Sequence, residues 1–370
     1  VESPHPPLAL KIFKERETES YTGSLNMRTD ELDYTLPPEL IAQHPVTPRD
    51  ASRLLVVHRD DDRLEHRHFR DLPEYLGEND CLVLNETQVL PCRLLGEKVE
   101  GGARIEVLLQ KEIDACRWEV LAYRSRRLRP GTHVRFAEDF SCEMEQDLGR
   151  GRFIARFHCG RDFMEALHRH GHLPLPPYVE RPSGASEEDR HRYQTVYAQS
   201  PGSSAAPTAG LHFTPELLKR LEEKGIYTAR VVLHVGQDTF RPISTPLVKD
   251  HPMHSEHYQV SEQAAQRVNT ARAAGGRIVA VGTTSVRTLE SSASDEGRLL
   301  PGGGATALFI QPGYRFKMVD VMITNFHLPR TSLLALVSAF SGSNLWRKAY
   351  EEAIEKQYRF YSFGDAMLIL

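Results

Sequence analysis

The sequence predicts an α/β protein of mixed α+β character, with a large mixed-sheet domain that carries an inserted small antiparallel β-barrel. Between about residues 92 and 160, short strand-like runs alternate with Gly and Pro turns at regular spacing, and helical periodicity is absent. On both sides of that stretch, helix and strand signals alternate, which favours a sheet covered by helices. The chain's 370 residues, 40% hydrophobic and 26% charged, suffice for a sizeable core in one large or two ordinary domains.

Residues 1–26, with Pro4, Pro6, Pro7 and a Lys/Glu-rich stretch lacking periodicity, read as a disordered extension, and Met27 opens the structured chain. Residues 36–42 read as a short helix opened by proline, 53–58 as a strand followed by an Asp60-Asp-Asp turn, and 81–84 as a buried strand ending at Asn85. Five barrel strands are expected at 104–110, 117–123, 133–136, 141–147 and 152–158. A helix over 161–171 and an extended connector from Leu173 return the chain to the larger domain. That domain comprises 27–91 and 161–370, with 92–160 as the insertion.

Further on, 193–198 reads as extended. Thr214 as N-cap, Pro215 at the first helical position and Gly225 as stop mark a helix over 215–224. Strands at 227–234, 277–281, 306–311, 318–324 and 366–370 then alternate with helices at 261–274, after Gly282, at 331–340 and at 344–357.

Composition excludes several classes. No apolar run reaches the roughly 18 residues a membrane span needs, and the N-terminal stretch lacks a secretory core, so a cytoplasmic protein is expected; separately, a monomer is expected. The five cysteines are widely spaced, without a C-x-x-C pair, and indicate neither a disulfide framework nor a zinc site. His251, His254 and His257 with Glu256 resemble a metal cluster in spacing. Pro252 breaks any single helical face and no fourth ligand is evident, so no metal is expected, and the group reads as a polar loop. Net charge is −4, yet 93–161 holds 14 Lys or Arg against 11 Asp or Glu. Within it, Arg124, Arg126, Arg127 and Arg129 form a compact basic cluster that could meet a phosphate backbone or simply be a solvated turn.

The stretch most suggestive of a site is Gly202-Ser-Ser-Ala-Ala-Pro207-Thr208-Ala209-Gly210-Leu-His212, small residues feeding a helix start. A lone histidine there is more often a core residue than a catalyst. Four further loops change that balance: His234-Val-Gly236 after strand 227–234, Gly282-Thr283-Thr284 with Arg287 one turn on, Asn325-Phe-His327 after strand 318–324, and Asn85 after strand 81–84. Each places small or hydrogen-bonding residues at the carboxyl end of a strand, where α/β sheets bind ligands.

The motifs Asp33-Tyr-x-Leu-Pro-Pro-Glu-Leu-Ile-Ala-Gln, Arg49-Asp-x-Ser-Arg-Leu-Leu-Val, Tyr193-Gln-Thr-Val-Tyr-Ala, Ala206-Pro-Thr-Ala-Gly-Leu-His-Phe-Thr, His254-x-Glu256, Val281-Gly-Thr-Thr-x-Val-Arg, Thr324-Asn-Phe-His-Leu-Pro and Phe363-Gly-Asp-Ala-Met-Leu-Ile are together similar to those of the S-adenosylmethionine:tRNA ribosyltransferase-isomerases of queuosine biosynthesis. The resemblance spans nearly everything from Met27 to Leu370. It implies transfer of the ribosyl part of S-adenosylmethionine, a consumed co-substrate, to 7-aminomethyl-7-deazaguanine at a tRNA wobble position, giving epoxyqueuosine-tRNA, adenine and methionine. It implies no prosthetic group. A base must take a ribose C5′ proton acidified by the sulfonium, and adenine must leave with a proton. The leading candidates are His212 and Glu256, followed by His234, His254 and His327, with the Gly282-Thr-Thr and 207–214 loops holding the donor and the barrel arginines meeting tRNA.

Two departures stand out: Glu86 and Gln88 occupy positions where the family usually has Asp and Arg, and Gln237-Asp238 follow Gly236 where small residues are usual. A conventional methyltransferase would show a Gly-x-Gly-x-Gly loop after an early strand, and none is present. A non-catalytic binding module would keep the barrel but has no need of polar loops at several strand ends.

Overall fold

The computed structural model describes residues 26–123, 126, 128–160, 162–182, 184–236, 239 and 241–370. Apart from Asn26, the extension expected over 1–26 lies outside the described residues, as do Arg124, Arg127, Gln237 and Asp238.

In chain order the strands are β1 (Arg53–His58), β2 (Arg63–His68), β3 (Cys81–Asn85), β4 (Thr87–Val89), β5 (Arg93–Lys98), β6 (Arg104–Asp114), β7 (Arg117–Tyr123), β8 (Thr132–Ala137), β9 (Phe140–Gly149), β10 (Arg152–Cys159), β11 (Ser200–Ser203), β12 (Tyr227–Leu233), β13 (Glu256–Val260), β14 (Ile278–Val281), β15 (Gly302–Thr306), β16 (Val321–Asn325) and β17 (Ala366–Ile369). The helices are α1 (Phe163–His170), α2 (Glu187–Arg192), α3 (Pro215–Glu223), α4 (Glu262–Ala273), α5 (Gly282–Ser292), α6 (Ser332–Ser341) and α7 (Ser343–Glu355).

Nine strands form one mixed sheet in the order β15-β13-β12-β3-β14-β16-β17-β1-β2. At its centre β12, β3, β14 and β16 are mutually parallel. The period-2 alternation of strands sorts their side chains onto two faces. Leu55, Val57, Cys81, Val83, Ile278, Ala280 and Met322 join the core under α4 to α7. Leu54, Val56, Leu82, Leu84, Val279, Val281 and Ile323 join a second core with Phe69, Phe213, Leu217 and Leu221. A sheet buried on both faces explains why its strands read as continuous apolar runs.

Strands β5 to β10 close into a barrel in the order β10-β7-β6-β5-β8-β9, which leaves no open edge. The mixed sheet and the antiparallel barrel match the expected architecture. Phe163, Ala166 and Leu167 of α1 pack into the barrel's own core.

The departures from expectation have physical causes. β5, missed in the sequence, carries Gly96, and a Cβ there would lie 2.6 Å from the Phe136 ring; pairing with β8 covers only Glu97 and Lys98. The strand expected at 306–311 lies instead at Gly302–Thr306, because this glycine run pairs with β13, where Gly303 approaches the Tyr258 carbonyl closely. Residues 254–257 are not wholly loop, since β13 begins at Glu256. The 36–42 helix reduces to a single 3-10 turn, Pro38–Leu40, between Pro37 and an extended Ile41. Residues 193–198 form turns rather than a strand. Gln194 takes the place of a strand neighbour, its Oε1 accepting from Val89 N (3.0 Å) and its Nε2 donating to Val89 O (2.7 Å).

Candidate active site

Because β3, β12, β14 and β16 run parallel side by side, their carboxyl ends lie on one edge of the sheet. Asn85, His234, Gly282 and Asn325, read separately as loop residues, therefore share that edge. The antiparallel strands bring their starts to the same edge: Glu256 opens β13, and Asp365 and Ser52 immediately precede β17 and β1. The loop after β11 delivers the 3-10 turn Thr208–His212 onto it, with Ala209 at the first turn of α5.

Local sequence explains the approach. Gly282 has φ +86°, which lets β14 turn directly into α5, and no side chain caps that helix. Gly282, Thr283 and Thr284 are buried, and the Thr284 hydroxyl has no hydrogen-bond partner among the described residues. A Cβ on Gly210 would collide with the Tyr197 hydroxyl, which is likewise buried and unpartnered, as is Thr195 Oγ1. Orphaned polar atoms gathered at an uncapped helix start suit a polar ligand.

The candidate residues fall into two groups. His212 is fully clasped: Asn325 Nδ2 donates to its Nε2 (3.1 Å), its Nδ1 lies 2.8 Å from Ser52 Oγ, and Phe69 stacks on its ring at 5.0 Å. Asn325 Nδ2 also donates to the Tyr361 carbonyl, so the amide orientation is set and His212 carries its proton on Nδ1. Burial, with Arg359 and Arg49 adding to it, pushes the His212 pKa down to about 3. His327 is also buried, with Nε2 2.7 Å from Thr324 Oγ1, and burial pushes its pKa down to about 3. Asn85 brackets two strands, accepting from Leu233 N and Thr87 N and donating to Leu233 O.

His234 differs. It is half-buried, its Nδ1 sits 2.8 Å from Thr87 Oγ1, and Thr87 reaches the Ser200 carbonyl at 3.5 Å, an arrangement that leaves Nε2 to accept a proton. A Cβ on Gly202 would lie 2.7 Å from this ring, so only glycine fits beneath it. Burial, then the neighbouring His257, lowers its pKa.

Glu256 is held by Gly236 N and Thr239 Oγ1, each donating to Oε1 at 3.0 Å, and by Arg287, which pairs with Oε2. Arg287 is no surface cation: it is buried and donates as well to the Leu308 and Thr306 carbonyls. His254 is exposed, two residues before β13. Glu86 is engaged by Ser200 Oγ (3.2 Å) and Arg230 (3.7 Å).

Ser52, Thr87, Thr195, Tyr197 and Thr239 were not foreseen as site residues. They are ordinary hydroxyl residues whose placement comes from strand order; only the quoted motifs containing Ser52, Thr195 and Tyr197 hinted at them. Arg126 and Arg129 are exposed beyond β7. A cavity of about 750 Å³ lies not at the strand ends but in the barrel wall, lined by Leu95, Tyr123, Phe136, Arg104 and Arg135 among others. Among the described residues no group of three or more His, Cys, Asp or Glu is arranged for a metal, and no helix is long and apolar enough to cross a membrane.

Residues 29–369 match the family model described as Queuosine biosynthesis protein. The S-adenosylmethionine:tRNA ribosyltransferase-isomerases of Symbiobacterium thermophilum and Moorella thermoacetica are 54% and 53% identical over 347 residues, 93% of this chain and 100% of each relative. A crystal structure of the S-adenosylmethionine tRNA ribosyltransferase of Thermotoga maritima is 40% identical, covers 92% of this chain and 100% of its own, and has a TM-score of 0.53.

Proposed function

The chain belongs to the queuosine biosynthesis protein family and is an enzyme, and we propose that it transfers and isomerises the ribosyl moiety of S-adenosylmethionine onto 7-aminomethyl-7-deazaguanine in tRNA, giving epoxyqueuosine-tRNA with release of adenine and methionine. The observation that carries this reading is the gathering of four parallel strand ends, an uncapped helix start and orphaned hydroxyls on one edge of the sheet.

The positive sulfonium acidifies the ribose C5′–H, and a neutral imidazole is suited to take that proton. His234 is the base in this reading: Thr87 orients its ring, and its lowered pKa keeps it neutral at pH 7. His212, with both ring nitrogens engaged, holds Ser52 and Asn325 in place. The α5 N-terminus, with Thr283 and Thr284 beneath the 207–210 turn, grips the donor's carboxylate or ribose hydroxyls. Glu256, its charge balanced by Arg287, fixes Gly236 and Thr239 beyond His234. Arg126 and Arg129, with Arg124 and Arg127, supply phosphate contacts on the tRNA side. The protein acts as a cytoplasmic monomer and uses no prosthetic group.

The test incubates the protein with S-adenosylmethionine and tRNA bearing the aminomethyl base, following free adenine and nucleoside mass together. Adenine and epoxyqueuosine rising in step is the expected result. Folded protein that yields neither, with correctly modified tRNA, rules the reading out.

A further inference from the structure

Beside His212, Arg49 and Arg192 line a small cavity of about 10 Å³ together with Leu211, Ser362 and Gly364. The two guanidiniums are half-buried, and the company they keep is unusual. Arg49 donates to the carbonyls of His191 (2.9 Å), Leu211 (3.1 Å) and Arg192 (3.3 Å). Arg192 donates to Thr47 Oγ1 (2.7 Å) and to the Val46 carbonyl. All of these acceptors are neutral.

Among the described residues neither arginine has a carboxylate in ion-pairing contact. The nearby carboxylate of Asp365 is taken by Arg53 (3.2 Å) and Arg359 (3.8 Å). The Arg192 Nε–H is buried with no acceptor. Two like charges drawn out of water side by side are costly, since neutral carbonyls orient them without balancing them. Burial, then Arg192 beside it, pushes the Arg49 pKa down to about 10, which expresses the same unbalanced charge. Glu188 acts on Arg192 only from beyond ion-pair distance, and an orphaned buried donor on one of two half-buried guanidiniums, beside a space the size of one oxygen ligand, suits an oxyanion.

We propose that Arg49 and Arg192 form an oxyanion site that holds a backbone phosphate of the RNA substrate, one of its non-bridging oxygens entering the cavity to accept from Arg192 Nε. This rests on the reading that the chain acts on tRNA. The phosphate, anchored at the β1 end of the sheet edge, would set the register of the RNA so that its target base reaches the strand ends around His234. The other oxyanion in the reaction is the carboxylate of S-adenosylmethionine, and binding measurements separate the two.

The full chain and its Arg192→Gln and Arg192→Lys variants are titrated, each ligand alone, with a tRNA anticodon hairpin over a salt series, with S-adenosylmethionine, and with inorganic phosphate at constant ionic strength. Expected for Arg192→Gln are about tenfold weaker hairpin binding, a salt slope shallower by about one phosphate contact, loss of the thermal shift caused by phosphate, and an unchanged affinity for S-adenosylmethionine. Arg192→Lys, which keeps the charge but loses the Nε–H, falls between and guards against a folding defect in the first variant.

Weaker S-adenosylmethionine binding with hairpin binding intact would overturn the proposal in favour of the carboxylate, and no change in any ligand would make the pair structural. If the parent chain binds the hairpin through Arg192 but releases no adenine with modified tRNA, the functional reading falls and the site stands. If it binds no hairpin at all, both fall.

Discussion

At the scale of residues, the three buried or half-buried histidines of the sheet edge divide by what their nitrogens touch. His234 Nε2 has no hydrogen-bond partner among the described residues, while His212 and His327 are buried and hydrogen-bonded to side chains. His234→Gln is therefore expected to lower kcat by about 10²- to 10⁴-fold, the usual worth of a positioned base, with little change in Tm. Because its pKa lies below 6.5, the acid limb of kcat/KM against pH should fall below pH 6.5 and vanish in the variant; a limb that persists in His234→Gln would move the base elsewhere. His212 and His327 predict a different pH effect. Their folded pKa values are depressed to about 3, so between pH 6.5 and 3 the unfolded chain binds protons that the folded chain does not. Stability should thus be constant above about pH 6.5 and fall as pH drops, by about 1.4 kcal/mol per pH unit for each histidine. Urea unfolding at pH 7, 6 and 5 measures this, and His212→Asn should remove one histidine's share of the slope.

At the scale of elements, the contact between the 193–198 turns and the 207–212 turn governs whether the α5 N-terminus is roofed. Gly210 exists to admit the Tyr197 hydroxyl. Gly210→Ala should destabilise by about 1 to 3 kcal/mol through overpacking, and Tyr197→Phe should recover part of that cost; additive effects would show that the two do not meet. Thr284→Val separates binding from folding. It replaces a buried hydroxyl lacking a partner by a methyl of similar size, so Tm should hold or rise. KM for S-adenosylmethionine should rise about tenfold if that hydroxyl meets the donor. An unchanged KM would place the donor elsewhere on the edge.

At the scale of the whole molecule, the proposed function gives the chemistry to the sheet edge and the tRNA contact to the barrel. The barrel's exposed Arg126 and Arg129 make a double Arg→Gln variant at these positions a test of its role. Hairpin affinity should weaken with a salt slope shallower by about one to two contacts, while adenine-release chemistry on bound tRNA is unaltered. A slope unchanged from the parent would leave the cluster a solvated turn.

The sequence by itself determined the architecture and the list of loops. Short apolar runs marked β1 and β3, Thr214, Pro215 and Gly225 bounded α3, and the absence of helical period set the barrel apart, because each of these signals is local to a few residues. Glycine-rich β15 and β5 escaped, since a strand made by its neighbour leaves little mark on its own side chains. Only tertiary structure decided what surrounds the candidate residues. Strand order brought Asn85, His234, Gly282 and Asn325 together across some 240 residues of chain. Whether an imidazole is engaged at both nitrogens like His212 or at one like His234, and whether an arginine meets a carboxylate like Arg287 or neutral carbonyls like Arg49, depends on partners distant in sequence. Burial and charge balance are sums over those neighbours, which no local pattern records.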